Sequence, residues 1–351
     1  MAKSAMLFFG FNSMRIHKRG VENVIHFQSL ASPFDTNYYL HWDVQTKVSR
    51  FGNLVCIGVK KNFFWIITLN ILLFKLKKNK QIFIHSHNPL MSIGSCFQSN
   101  LFTVHDGVYY FAKVTKHKLK YVFVLLEKLL YLRCDFVHFI SFYTKKMSLY
   151  KGINNCIIPN TSHFENFKTK NIVNKEITCF KTGVIKVFTV RSIEERALID
   201  LLIDVAKLLK DENFEFLIAG KGPLLKFYQE KIKEQNLDNI SLLGYVADDE
   251  LIQYYKNSDV ILIPAAYGEG FGLPIIEGYL FNKPVIASNI CAIPEIIISN
   301  DFLFENNVKS IITKLNRSRK NENNNFKNHY DTYFSNNIVI SKMNELYTKL
   351  Y

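Results

Sequence analysis

The sequence predicts an α/β protein of two Rossmann-like domains, each built on a parallel sheet and facing the other across a cleft. Three observations carry this. The chain has 351 residues, 48% apolar and 21% charged, globular values over a length that one ordinary core does not fill. Short apolar runs alternate with longer segments of helical spacing, as strands feeding helices do. The alternation breaks over the polar stretch TSHFENFKTKNIVNKEITCFKTG, 161–183. We therefore expect a domain over 1–165, a linker over 166–183, a second domain over 184–335 and a C-terminal helix, 336–351, packing back on the body.

The first apolar run, AMLFF (5–9), reads as the first strand, and no signal-peptide cleavage site follows it. NYYLHW (37–42) and LVCIGV (54–59) follow, rich in aromatic and β-branched residues. FFWIITLNILLF (63–74) is too short to span a bilayer, and Thr68 and Asn70 interrupt it. It reads as a core helix with a lysine-rich end, KLKKNK. Strands QIFIHSH (81–87) and LFTVHD (101–106) precede the helical LKYVFVLLEKLLYL (119–132); FVHFIS (136–141) and CIIPN (156–160) come after it. In the second half IKVFTV (185–190), FEFLIAG (214–220), ISLLG (240–244), VILIP (260–264) and PVIAS (284–288) are strands. Several are continuously apolar, as strands covered on both faces are. ALIDLLIDVAKLLK (197–210), PIIEGYLF (274–281) and NNIVISKMNELYTKLY (336–351) have helical spacing, and RSRKNENNNFKN (317–328) reads as a loop.

Charge is uneven. Residues 1–170 hold 23 Lys and Arg against 7 Asp and Glu, and residues 171–351 hold 21 against 23. A positive first half suits an anionic partner: a phospholipid surface, a diphosphate or nucleic acid. No aromatic RNA-binding signature or zinc-finger spacing supports the last, and no nucleic acid is expected. The lysines of 75–80 and of VTKHKLK (114–120) form a candidate basic patch. Six cysteines, at 56, 96, 134, 156, 179 and 291, form no CxxC pair, which suits scattered thiols in a reducing cytoplasm. His85 and His87 share a strand face, but no third ligand accompanies them; they read as a polar pair at the cleft edge, and no metal is expected.

Chemistry concentrates in YGEGFGLPIIEGYLF, 267–281. Gly268, Gly270 and Gly272 strip side chains from a turn between a strand and a helix, so backbone amides can approach a ligand. Pro274 suits the first helical position. A helix N-terminus favours a phosphate or diphosphate. Glu269 in the loop and Glu277 in the first helical turn, eight residues apart, are poor neighbours for phosphate but good acceptors for vicinal hydroxyls. A nucleotide sugar offers both features. The dinucleotide fingerprint GxGxxG fails, because its third glycine would fall at Leu273.

Glu269 to Glu277 matches the E-x7-E signature of retaining glycosyltransferases of GT-B architecture, and the chain resembles their family 4, which includes bacterial surface-polysaccharide enzymes. KRGVENVI, IFIHSHNP, TVHDG, IIPN, KVFTVRSIEERALIDLLIDVAKLL, FEFLIAGKGP, ISLLGYVADDELIQYYKNSDV and PVIASNICAIPEII fit in the expected order. The resemblance implies that Glu277 binds the nucleotide ribose. Glu269 would face the donor sugar, beside the amides of Gly270, Phe271, Gly272 and Leu273, while Arg191 and Arg196 clamp the diphosphate. Val190 stands where relatives have glycine, and Arg196 where most have lysine. Gly20 would be the loop glycine near the phosphates, His105 would contact the sugar, and Tyr245 would lie beside the base. The same resemblance implies a metal-independent enzyme without a cofactor. It would pass a sugar from a nucleoside diphosphate to a lipid-linked glycan of O-antigen, capsule or lipopolysaccharide type. The implied place is cytoplasmic, peripheral to the inner face of the cell membrane. A nucleotide-sugar epimerase or a glycosyl phosphorylase would share this architecture, and a basic nucleic-acid-binding protein is the alternative of another class.

Overall fold

The computed structural model describes residues 3–14, 20–78, 80–106, 110, 114, 118–165, 167, 183–318 and 325–351. The chain divides into two compact units, Met1–Thr161 with Asn336–Tyr351, and Ser162–Ser335. The linker expected over 166–183 lies, but for 167 and 183, outside the described residues, as does most of 114–120.

The first unit holds strands β1 (Lys3–Phe9), β2 (Thr36–Asp43), β3 (Val48–Phe51), β4 (Leu54–Lys60), β5 (Lys80–Ser86), β6 (Ser99–Val104), β7 (Cys134–Phe139) and β8 (Asn155–Ile157). Its helices are α1 (Gly20–Leu30), α2 (Trp65–Lys77), α3 (Pro89–Gly94), α4 (Lys120–Leu132) and α5 (Phe142–Met147), joined by the C-terminal helix, Asn336–Leu350. Among the described residues the strands form one sheet in the order β3-β4-β2-β1-β5-β6-β7-β8. All pairs are parallel except β3 with β4. Strand β3 is missed by the sequence reading: VSRF is short and carries two polar residues, and it is held only as a hairpin through Gly52 at φ 54°.

The continuous apolar character of β1 has a direct cause. Met6 and Phe8 pack on one face with Met343, Leu346 and Tyr347 of the C-terminal helix. Ala5, Leu7 and Phe9 pack on the other with Leu69 and Leu73 of α2. Alternate residues point to opposite faces, so a strand covered on both sides must be apolar throughout. For α2 the outcome differs from expectation. Sequence reading puts its apolar part in the core, yet only Leu69, Asn70 and Leu73 are buried, while Ile67, Ile71 and Phe74 are exposed. One stripe is all that the sheet can cover on a helix that is apolar all round.

The second unit contains β9 (Ile185–Val190), β10 (Phe214–Ala219), β11 (Ile240–Gly244), β12 (Val260–Ile263), β13 (Val285–Ser288) and β14 (Leu303–Phe304). Its helices are α6 (Ile199–Leu208), α7 (Leu225–Glu234), α8 (Asp248–Asn257), α9 (Leu273–Leu280), α10 (Ile293–Ile296), α11 (Val308–Ser318) and α12 (Phe326–Tyr333). The sheet runs β11-β10-β9-β12-β13-β14 and is wholly parallel. The stretch 317–328, expected as a loop, instead ends α11 and begins α12, with 319–324 outside the described residues. The signal for α12 is aromatic: Phe326 stacks on Tyr279 of α9 with ring centroids 5.8 Å apart, and Tyr330, four residues on, is fully buried.

In each sheet the chain starts at an inner strand, winds outward, then restarts on the other side. The reversals fall between β1 and β5 and between β9 and β12. Ligands of doubly wound sheets bind at the carboxyl ends of strands at such points. The two reversals therefore direct attention to Arg191 and the glycine turn in one unit, and to His87 and His105 in the other.

Among the described residues, no helix is long and apolar enough to cross a membrane.

Candidate functional site

Strand β9 stops at Val190, and the next loop is clamped against the end of β10. Arg191 N–H donates to Ala219 O at 3.0 Å, and Ile193 N–H to Lys221 O at 2.9 Å. The approach requires glycine. At Gly220, with φ 148°, an added Cβ would lie 1.7 Å from Arg191 O; at Gly222 it would lie 2.0 Å from Ile193 O. This backbone contact fixes where the Arg191 side chain departs.

Arg191 Nη1 reaches Glu269 Oε2 at 2.5 Å, with the two side chains only 7% and 14% exposed. Two charges so far out of water need this pairing. Arg196 Nη1 donates to Gly268 O at 2.9 Å, and Ala266 N–H donates to Arg196 O at 2.9 Å. Both arginines are thus joined to the turn between β12 and α9. Gly272, at φ 97°, precedes α9, and no side chain caps that helix. The helix begins at Leu273, so Pro274 is its second residue rather than its first. Gly270 is buried in the turn. The Phe271 side chain is buried against Phe334, with centroids 6.0 Å apart, leaving its backbone as the part available to a ligand.

Glu277 needs a correction too. It is the fifth residue of α9, beyond the first turn, and it is buried. Its Oε2 accepts from Tyr255 Oη–H at 2.7 Å, while its Oε1 lies 3.9 Å from His163 Nδ1. His163 Nε2 is 3.3 Å from Asp248 Oδ2. Burial raises the Glu277 carboxyl above its usual range; His163 and the Tyr255 hydroxyl oppose the shift, and Asp248 adds to it. Sequence reasoning misses His163, Tyr255 and Asp248. Their sequence signals are a lone histidine after IIPN, a tyrosine pair, and an acid opening α8. Tyr245 follows β11, 67% exposed, with Lys221 Nζ 4.3 Å from the centre of its ring. It is a platform on which a planar ring can stack.

In the first unit Gly20 is the exposed first residue of α1, and residues 15–19 before it lie outside the described residues. His105 follows β6 and lies with its Nε2 2.8 Å from His87 Nδ1. His85 and His87 are buried, rather than a pair at an open edge. Hydrogen bonding assigns the tautomers in this cluster. His138 Nε2 lies 2.8 Å from Ile158 O, so it carries the proton. Its Nδ1 then accepts from Thr103 Oγ1 at 2.9 Å, and Thr103 accepts from His85 Nε2 at 2.7 Å. That leaves His85 Nδ1 to accept from Tyr347 Oη at 2.9 Å. A chain of neutral imidazoles therefore ties the C-terminal helix to β5, β6 and β7. His87 Nε2 is buried without a partner among the described residues. A bare lone pair costs less there than a stranded N–H, so His87 Nδ1 donates to His105 Nε2 and the His105 proton sits on Nδ1.

These imidazoles resist protonation. Burial, with neighbouring histidines, pushes His85 and His87 well below 6.5; His105 goes to about 3, and His138 to about 4 despite its bond to Ile158. In the unfolded chain they charge near 6.5. Below that pH the unfolded state binds more protons, so the contribution is whole above pH 6.5 and lost as pH falls towards 4. Urea unfolding should show stability falling by about 1.4 kcal/mol per pH unit for each such histidine. An unfolding midpoint equal at about pH 7 and about pH 5 would refute this.

Among the described residues no group of three or more His, Cys, Asp or Glu is placed to hold a metal ion.

Residues 171–333 match the family model for glycosyl transferases group 1. An uncharacterized glycosyltransferase of Methanocaldococcus jannaschii is 35% identical over 111 residues, 31% of this chain and 30% of its own. An uncharacterized protein of the cps region of Klebsiella pneumoniae is 26% identical over 242 residues, 65% of each chain. The O-antigen chain mannosyltransferase B of Escherichia coli is 41% identical over 58 residues, 16% of this chain and 15% of its own. The chain thus spans between 15% and 65% of the length of these curated relatives. Among solved structures, sucrose-phosphate synthase of Thermosynechococcus elongatus superposes with a TM-score of 0.80 at 16% identity, over 99% of both chains. HepE of Anabaena, in complex with UDP-glucose, does so with a TM-score of 0.77 at 14% identity, over 98% of this chain and 99% of that one. These likenesses bear on the fold: α/β with two parallel-sheet, Rossmann-like domains, as in GT-B glycosyltransferases.

Proposed function

We propose that the chain is a retaining, metal-independent glycosyltransferase of family 4. It moves a sugar from a nucleoside diphosphate to a growing, lipid-linked cell-surface glycan at the inner face of the cell membrane. One observation carries this reading. At the strand reversal of the second sheet, Arg191, itself paired with Glu269, and Arg196 are held against the uncapped glycine turn that opens α9.

The chemistry follows from those groups. As the glycosidic bond to the diphosphate breaks, negative charge grows on the leaving oxygens. Two guanidiniums and the amides of Gly270, Phe271 and Gly272 in the turn, with that of Leu273 at the start of α9, stabilise it. Glu269 holds Arg191 through one oxygen and turns the other to a donor-sugar hydroxyl. Glu277 accepts from ribose, with Tyr255 and His163 fixing the carboxylate, and Tyr245 stacks beside the base. Within the first unit by itself, Gly20 offers an open backbone to a phosphate, and His105, its tautomer set by His87, presents an Nδ1–H to a sugar hydroxyl. The match over 171–333 and the names of the relatives support the transfer of a sugar, and the O-antigen and cps-region relatives support a surface glycan. The structural neighbour holding UDP-glucose supports a nucleotide-sugar donor.

The test is donor consumption over a panel of nucleoside diphosphate sugars, with and without a chelator, and product anomers read by NMR. Glu277→Ala should cut consumption by about a hundredfold, because removing a buried, charge-assisted contact leaves its hydroxyl partners unmatched. Wild-type consumption in that variant defeats the donor assignment. Dependence on added metal defeats the metal-independent reading, and an inverted anomer defeats retention.

A further inference from the structure

Helices α2, α3 and α4 belong to the first unit and lie side by side. A Cβ on Gly94 at the end of α3 would sit 2.4 Å from the Trp65 ring of α2, and Asn70 of α2 donates to Gly94 O at 2.9 Å. Arg133, just after α4, donates to the carbonyls of Ser95 and Phe97 just after α3.

The outer side of this layer is apolar. Phe63, at 92% exposure, begins a stripe that continues through Ile67, Ile71 and Phe74 of α2 at helical spacing. Leu125, Leu129 and Leu132 make a second exposed stripe along α4. Exposed aliphatic and aromatic groups on the two helices that flank α3 are more than a monomer's surface ordinarily tolerates, and they mark a surface that something covers.

Charge says what covers it. Lys60, Lys61, Lys75 and Lys78 flank the first stripe and are exposed, and Lys128 is exposed beside the second. No acid occurs in α2. The one acid of α4, Glu127, is buried and accepts from Leu149 N–H and Tyr131 Oη–H. The outward face therefore carries greasy side chains and positive charge. Pairing with a second copy through a two-fold axis would set this basic rim against itself. Anionic lipid satisfies both features: headgroup phosphates meet the lysines while the apolar side chains enter the acyl boundary.

We propose that the outer faces of α2 and α4 form a docking surface for an anionic phospholipid membrane. This rests on the membrane part of the proposed function and is independent of its chemistry. The test is flotation of the full chain with vesicles of phosphatidylglycerol and phosphatidylcholine, against phosphatidylcholine alone. The wild type should float with the anionic vesicles, and about 0.5 M salt should weaken binding. Ile67→Glu with Phe74→Glu, and separately Leu125→Glu with Leu129→Glu, should each lower the bound fraction by about tenfold or more. Phe227→Glu, at an exposed phenylalanine of the second unit, should leave it unchanged. A wild type that stays down overturns the proposal. So do double variants that float like the wild type, or a wild-type dimer that both double variants make monomeric. A nucleoside diphosphate thermal shift accompanies each protein. If the donor reading is wrong the wild type loses that shift and still floats; if the docking surface is wrong the shift persists and flotation does not depend on these helices.

Discussion

Arg191→Ala should reduce donor consumption by about a hundredfold to a thousandfold, the loss seen when a preorganised group facing developing negative charge is removed. Two effects add. On the proposed reading a leaving diphosphate loses a guanidinium, and Glu269 keeps a carboxylate, only 14% exposed, with its cation gone. Leaving a buried charge unpaired costs about 3–5 kcal/mol, so the variant should also melt earlier. Arg191→Lys separates the effects. It restores a positive charge but not the planar fork that can bond Glu269 and a phosphate together, so stability should recover further than rate. Rates within about threefold of wild type in Arg191→Ala would remove this side chain from the chemistry.

Gly220→Ala should be the most damaging methyl group that can be added near the site. Its φ of 148° is a conformation that L side chains rarely adopt, and the new Cβ would lie 1.7 Å from Arg191 O, a backbone atom that cannot rotate away. The 191–193 loop would have to lift off the end of β10. A loss of about 3 kcal/mol or more is expected, with a drop in melting temperature of roughly 10 °C. Because the loop carries Arg191, the nucleoside diphosphate thermal shift should shrink as well. A melting temperature within about 2 °C of wild type would mean that the loops are not pressed together as described.

The neighbourhood of Arg191 is legible in the sequence because it is local. KVFTVR ends a strand at an arginine, VILIPAAYGEGFG ends another at a bare turn, and strands beside each other in a parallel sheet bring their carboxyl ends together. The environment of Glu277 is not. His163 is 114 residues earlier and Tyr255 sits on α8, so neither spacing nor periodicity links them to α9. The placement of Glu277 in the first turn and of Pro274 at the first position both fail by a small shift. Gly272 holds the turn open for one residue and Leu273 starts the helix, a boundary that depends on backbone angles. The histidines are visible as HSH and TVHD, but their protonation is not. Only the partners Ile158, Thr103 and Tyr347 choose which nitrogen carries the proton.

Alone, the sequence determined the alternation of strand and helix, the parallel sheets, the glycine turn and the excess of positive charge in the first half. These follow from side-chain period, steric freedom at glycine and composition, which act over a few residues or over the whole chain. Only the tertiary structure decided which acid is buried, which imidazole nitrogens are bare, and which side of α2 stays outside. Each of these depends on what lies across from a group once distant segments meet. Solvent removal and hydrogen-bond partners are properties of that meeting, not of the neighbours along the chain.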